Sequence, residues 1–432
     1  MNLSNRKTDL VIVALFGIVG ISIFSEFVFS NDILFGTDML PMGYMMRKAV
    51  ADYWRSNLRL PLWDPYILCG LPVVDAMHGD LFYPASLFYL FMPLHRALGY
   101  KILVHIWFAG VTMYFLLRVL RLSRGAAFLG GLGYMVAPYL LSLTYAGHDA
   151  KIFVTALFPL CVALLELLLR NPGLFSTCLF GAGVGLLFLT SHPQMAYFGS
   201  WGLGIYFATR LLTQWKDGLG LRRVVFFGLA IIIAIGIASI QFLPTYFYTT
   251  NFSPRTGGVS FEFASSWSLH PEEIVSLLYP SFVGYKETYW GRNAFKLNCE
   301  SPGPILLVLA FGGFVLLFRR REYIPWLILF VFCPLYALGA HTPIFKLIYN
   351  TIPGAKFLRA PSVIMFMFLC STCVLAASFI DTFLSSKVDT RRRKILTGLI
   401  YLIIVTTILF GLLRKETFGF WRDYILSSIP CL

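Results

Sequence analysis

An all-helical protein that crosses a membrane about eleven times is the fold class this sequence predicts, and three observations predict it. Of its 432 residues, 58% are hydrophobic and only 13% charged, for a mean hydropathy of +0.73. Apolar runs such as 10–29, 224–243 and 395–413 approach or reach the roughly 20 residues with which a helix spans about 30 Å of hydrocarbon. Helix is the expected element because in lipid each segment must satisfy its own backbone hydrogen bonds. The third observation is the placement of the cations. A formal charge of +14 on a soluble chain would suggest a nucleic-acid partner, but here Lys and Arg stand in short clusters between apolar runs, which speaks against nucleic acid and reports topology instead.

Taken in order, Arg6 and Lys7 precede a first span at 10–29. No small-residue cleavage site follows it, since Ser25-Glu26-Phe27 comes next, so it reads as a retained anchor. Further spans are expected near 98–117, 126–143, 152–169, 174–190, 195–212, 224–243, 304–318, 323–339, 361–380 and 395–413. Arg118, Arg121 and Arg124, then Lys216, Arg222 and Arg223, then Arg319 to Arg321, then Arg391 to Lys394 all fall on the inner side of that threading, with the amino terminus inside and the carboxyl terminus outside. The apolar segment 81–93 is too short to cross and reads as re-entrant or interfacial; as a full span it would turn every later Arg cluster outward. Gly181-Ala182-Gly183-Val184-Gly185 sits within a span, where small residues allow close helix packing; no strand precedes it, so it says nothing of nucleotides.

A membrane domain over 1–413 with a short outer tail at 414–432 follows, and its chemistry is sought in the long outer loops. The first, 31–83, is the richest: Gly36-Thr37-Asp38, Pro61-Leu62-Trp63-Asp64-Pro65, Gly70-Leu71-Pro72, then Asp75, His78, Asp80 and Tyr83-Pro84. Within it residues 41–59 read as an amphipathic helix lying on the membrane or packed on the bundle, with Lys48, Asp52, Arg55 and Arg59 on one face and Met42, Met46, Val50 and Tyr53 on the other. A short loop holds His148, Asp149 and Lys151, ionisable groups at the mouth of a span that need water or partners. They read as substrate contacts or as a helix cap with a snorkelling lysine. His192-Pro193-Gln194 on the same side reads as a turn or a contact. The loop 247–303 carries Arg255, Glu262, His270, Glu272, Glu273, Lys286, Arg292 and Glu300, and the last loop carries Lys356 and Arg359. Outer-loop aromatics such as Trp54, Trp63, Trp267 and Tyr289 suit an interfacial belt, with stacking on sugar faces as the second reading. Of eight cysteines, Cys69, Cys299 and Cys431 fall outside; free thiols or a Cys69–Cys299 bridge both fit, and no zinc-type Cys pair is present.

These residues carry a resemblance. The acid after the first span, Leu60-Pro61-Leu62-Trp63-Asp64-Pro65, Cys69-Gly70-Leu71-Pro72, Phe82-Tyr83-Pro84, Gly147-His148 with Lys151, Leu338-Gly339-Ala340-His341-Thr342-Pro343, Pro353-Gly354 and Arg359-Ala360-Pro361 resemble, in order over about 35–380, the YfhO-like bacterial family of the GT-C superfamily of membrane glycosyltransferases. The family's members are often longer at the carboxyl end. The resemblance implies a multi-pass enzyme of the bacterial cytoplasmic membrane that moves a sugar, with inversion, from a polyprenyl-phosphate donor to a glycan, lipid or protein acceptor on the outer face.

Under that implication Asp38 is the expected general base, with a helix-start acid as its other reading, and Asp80 is the second candidate carboxylate. Asp75, His78 and Asp80 are expected to orient substrate; two acids in one pocket would also push their pKa values apart. His148, Asp149 and Lys151 are expected to contact substrate. Arg359 and Lys356, with Arg255 and Arg292 in reserve, are expected on the leaving phosphate, which a guanidinium binds by two parallel hydrogen bonds. The sequence requires no cofactor; a divalent ion is admitted, but no metal ligands stand out. A lipid-linked glycan flippase would put ionisable residues near the bilayer midplane, where only Lys101, His105 and Glu166 qualify even loosely, and a noncatalytic scaffold leaves the acid-rich first loop without a purpose.

Overall fold

The computed structural model describes residues 3–385 except 78, 215–217 and 253–256, together with 394, 397–398, 401 and 405. The expected span 395–413 and the tail 414–432 lie essentially outside the described residues, as do His78 and Arg255. What is described is almost wholly helical: α1 (Leu3–Ile23), α2 (Met46–Asn57), α3 (Leu94–Val119), α4 (Arg124–Met135), α5 (Pro138–Ala146), α6 (Asp149–Arg170), α7 (Leu174–Leu189), α8 (Pro193–Gln214), α9 (Gly220–Phe252), α10 (Pro304–Leu317), α11 (Ile324–Ala337), α12 (Pro343–Thr351) and α13 (Met365–Leu384). Two two-residue strands, β1 (Trp63–Asp64) and β2 (Leu71–Pro72), pair antiparallel in the loop 31–83.

Among the described helices five segments are long and apolar enough to cross a membrane alone: α3, α4 with α5, α6, α9, and 361–383, which contains all but the last residue of α13. The chain is therefore a multi-pass membrane protein. The helix α7 and the helix α10 are shorter, while α11 is extended by 3₁₀ turns at Arg321–Tyr323 and Gly339–His341. Of these five segments 361–383 is the most enclosed, 89% buried over its apolar window, and α9 is the most peripheral at 22%. Around the centre α3 packs on α6 and α4, and α13 on α10 and α11. Because lipid tails are as apolar as the side chains, close approach rather than hydrophobicity draws these helices together. Gly181 shows it: a Cβ there would stand 2.7 Å from the Ala230 carbonyl oxygen of α9.

Two expectations are refined and one, for 81–93, is met. The span foreseen at 126–143 is two helices, broken at Val136 and Ala137, because the residue before Pro138 is pushed out of the helical region; Ala137 has ψ 136°. The interfacial helix starts at Met39 as a π-helix and turns α-helical at Met46, ending at Leu58 in a left-handed conformation. Its faces also differ from the periodic reading: Met42 is exposed, while Arg55 is turned inward and donates to the carbonyls of Tyr89, at 3.0 Å, and Met92. The segment 81–93 forms only a 3₁₀ turn at Pro84–Leu87 and a single α-turn at Phe88–Phe91, much too short to cross.

Ionisable groups inside the bundle are paired. Glu166 takes Arg170 at 2.8 Å, Arg210 at 2.7 Å and Tyr206 at 2.9 Å. Lys101 on α3 binds Asp80 at 2.6 Å and the Tyr89 hydroxyl at 2.6 Å, and His105 meets the Tyr83 hydroxyl at 2.7 Å.

Candidate active site

The site begins with the carbonyls that end α5. A helix leaves its last C=O groups without partners, and here the loop 31–83 supplies them: Thr37 N donates to Tyr145 O at 2.9 Å and Asp38 N to Ala146 O at 3.3 Å. Gly147 closes the helix with φ 74°, and His148 N reaches back to Leu143 O at 3.0 Å. Glycine is needed there twice over, for the left-handed turn and because a Cβ would lie 2.5 Å from Met39 N. The first loop is thus seated against the α5–α6 turn, which brings Asp38 to His148, 110 residues away in sequence: His148 Nε2 lies 3.1 Å from Asp38 Oδ2.

The electrostatics assign protons to this pair. The hydrogen bond from His148 holds the Asp38 carboxyl below its ordinary value against the opposing effect of burial, and the Lys151 charge adds to the lowering. Burial pushes His148 below its ordinary value, with Asp38 opposing. At neutral pH the pair is an ionised carboxylate accepting Nε2–H from a neutral imidazole. His148→Ala is accordingly expected to raise the Asp38 pKa and move the acid limb of the pH–rate profile upward; an unmoved limb would show that another group titrates there.

Asp38 and His148 line a cavity of about 240 Å³. Lys151, from the first turn of α6, lines it too, within electrostatic range of Glu300, Asp38 and Arg359, and among the described residues no ion pair or hydrogen bond engages its ammonium. Arg359 closes the cavity from the segment between α12 and α13; its guanidinium lies 5.3 Å from the Phe263 ring, and its carbonyl accepts from Gln194 Nε2. Trp267 and Phe295, in edge-to-face contact at 4.6 Å, form an aromatic wall.

Opposite stands a group that the loop sequence did not single out. Glu273, on the 3₁₀ turn Pro271–Leu277, and Glu300 flank Lys296, whose Nζ lies 3.1 Å from Glu273 Oε2 and 2.7 Å from Glu300 Oε2. The Tyr289 hydroxyl donates to Glu273 Oε1 at 2.6 Å. Burial works against the Lys296 ammonium, but the two carboxylates outweigh it and hold its pKa up; burial pushes Glu300 up, against Lys296. Asn293 and Asn298 complete this wall. The loop 247–303 has no periodicity that would have grouped these residues; the only sequence signal was acids and a lysine close together in an apolar protein.

Of the expected site residues, Asp38, His148, Lys151 and Arg359 meet in the cavity. Asp80 does not: it is buried in its pair with Lys101 and anchors the first loop to α3. Asp149 also turns away, binding Arg47 of α2 at 2.5 and 3.3 Å, so it secures the interfacial helix to the start of α6. Arg292 pairs with Glu272 at 3.2 Å outside the cavity, and Lys356 lies with its ammonium 5.8 Å from the Tyr349 ring. Asp75 sits half-buried in the turn after β2, apart from the cavity residues. Cys69 and Cys299 are free thiols, one exposed and one buried. Among the described residues no group of three or more His, Cys, Asp or Glu side chains is arranged to hold a metal ion.

No protein-family model matches the chain, and no curated protein matches it. Its structure is similar to the crystal structure of ArnT from Cupriavidus metallidurans bound to undecaprenyl phosphate, with a TM-score of 0.52 at 11% sequence identity, covering 96% of this chain and 66% of that one. The likeness shows the fold alone: a helical membrane fold shared with ArnT, in keeping with the fold class that the motif resemblance implied. This chain spans just under two thirds of the length of ArnT.

Proposed function

We propose that the protein is a GT-C-type glycosyltransferase that moves a sugar from a polyprenyl-phosphate donor to an acceptor outside the membrane, with inversion at the sugar. The observation that carries the reading is the composition of the cavity: an ionised, imidazole-held carboxylate at Asp38 shares it with two cations, Lys151 and Arg359, that among the described residues no carboxylate in hydrogen-bonding contact neutralises. The fold shared with a protein whose structure holds undecaprenyl phosphate supports a lipid-linked donor.

In this reading the acceptor hydroxyl attacks the anomeric carbon of the donor and its proton passes to Asp38. The bond from that carbon to the phosphate oxygen breaks, and its electron pair leaves with the polyprenyl phosphate. The negative charge gained by the phosphate is met by Lys151 and Arg359. Glu273, Lys296, Glu300 and the two asparagines then supply hydrogen bonds to sugar and acceptor hydroxyls. A flippase reading loses its residues, because Lys101, His105 and Glu166 are each engaged by protein partners.

The test is sugar release and transfer from a panel of radiolabelled polyprenyl-phosphate sugars by membranes containing folded protein. One donor is expected to be consumed, and Arg359→Ala is expected to lower its kcat/KM by about 10- to 100-fold, the loss of one charge-assisted contact of roughly 1.5–3 kcal/mol. Consumption of no donor by well-folded protein would overturn the transferase reading.

A further inference from the structure

Where the last outer loops meet, two histidines touch that the proposed transfer chemistry does not use. His270 Nδ1 lies 2.8 Å from His341 Nε2, with ring centroids 5.0 Å apart and planes at 67°. Rigid main chain on both sides sets this approach. Leu269 N donates to Ala337 O at 2.7 Å, and Gly339 sits so close to Ser268 that a Cβ on it would fall 1.8 Å from the serine hydroxyl. His270 caps the 3₁₀ turn that carries Glu273 into the cavity; His341 ends the turn that extends α11.

We propose that His270 and His341 form an outer-face binding site for a divalent transition-metal ion of the zinc, copper and nickel class, with water completing the coordination. Imidazole is the ligand these ions favour, whereas magnesium and calcium want oxygen. Metal–nitrogen bonds of about 2.0–2.1 Å at a tetrahedral angle put two ligand nitrogens roughly 3.3 Å apart. The present pair needs to open by only about 0.5 Å to reach that spacing, a small side-chain rotation. A negative charge stands by: Glu272 follows two residues later, acts electrostatically on His270, and has a buried carboxylate oxygen, Oε2, without a hydrogen-bond partner among the described residues, its other oxygen being held by Arg292 at 3.2 Å. A bound ion would pin the segment that supplies Trp267, Ser268 and Glu273 to the end of α11, stiffening one wall of the cavity.

The experiment uses the full chain purified in detergent without a polyhistidine tag, stripped with a chelator and titrated with Cu²⁺ or Zn²⁺ alone. One Cu²⁺ per chain with paramagnetic-resonance couplings to two nitrogens is expected, together with a higher melting temperature in Zn²⁺. His341→Ala is expected to melt like the stripped wild type and to lose both signatures, while His95→Ala keeps them. Absence of stoichiometric binding by the wild type, or binding unchanged in His341→Ala, overturns the site. Neither readout needs transfer activity, so this inference and the transferase reading fail separately.

Discussion

Asp38→Asn is expected to lower sugar transfer by about 10²–10⁴-fold, the usual contribution of a positioned general base, while the folded protein survives unchanged. The two halves of that expectation have different physical sources. Survival follows because Asp38 is fixed by its main chain, through the Ala146 carbonyl, and because the asparagine amide oxygen can still accept from His148 Nε2. The side chain is 43% exposed, so no buried charge is left unpaired by the change. The loss of rate follows because an amide cannot take a proton at any pH near neutrality.

A carboxylate held below its ordinary pKa is a weak base, and that suits this reaction. Glycosyl transfer passes through an oxocarbenium-like transition state, in which the acceptor hydroxyl becomes acidic only as its bond to the sugar forms. A weak, permanently ionised base is then in the right state at every working pH. Initial rates with matched amounts of folded wild type and variant decide the matter. Wild-type rates from Asp38→Asn would remove Asp38 as the base and turn attention to Glu300, the buried carboxyl on the opposite wall.

How far the sequence could see follows from the same residues. The membrane class was legible because span length and apolar composition are local properties. The break before Pro138 was local too, and a stricter reading of the X-Pro rule would have found it. Asp38, Lys151 and Arg359 were legible as charges at the mouths of spans, where desolvation makes them costly unless they are used or paired. Their partners were not. The pairing of Asp38 with His148 depends on a loop seated on the carbonyls of α5, and that of Asp149 with Arg47 joins residues 102 apart. No periodicity encodes such contacts. Asp80 misled for the same reason: its rich neighbourhood in sequence, Asp75 and His78, suggested a polar pocket, whereas in space its neighbour is Lys101 on a buried helix face.

That pair carries the second large effect. Lys101→Met is expected to destabilise the protein by about 3–5 kcal/mol, the cost of leaving one member of a buried ion pair without its partner. The setting is severe: Lys101 is fully buried, Asp80 is 2% exposed, and among the described residues Asp80 Oδ2 already lacks a hydrogen-bond partner. Removal of the ammonium would leave a buried carboxylate whose one remaining hydrogen bond among the described residues comes from the Tyr89 hydroxyl, at 3.2 Å. Asp80→Asn strands the lysine instead and is expected to lower the thermal midpoint in detergent similarly. The double variant Asp80→Asn with Lys101→Met removes both charges and is expected to recover a large part of the loss, because much of the penalty of a broken buried pair lies in the stranded charge. A catalytic Asp80 predicts the reverse pattern: Asp80→Asn would melt like the wild type yet be inactive, and Lys101→Met would not rescue it. Thermal midpoints of the two single variants and the double variant therefore separate an anchor from a catalytic acid without any knowledge of the sugar.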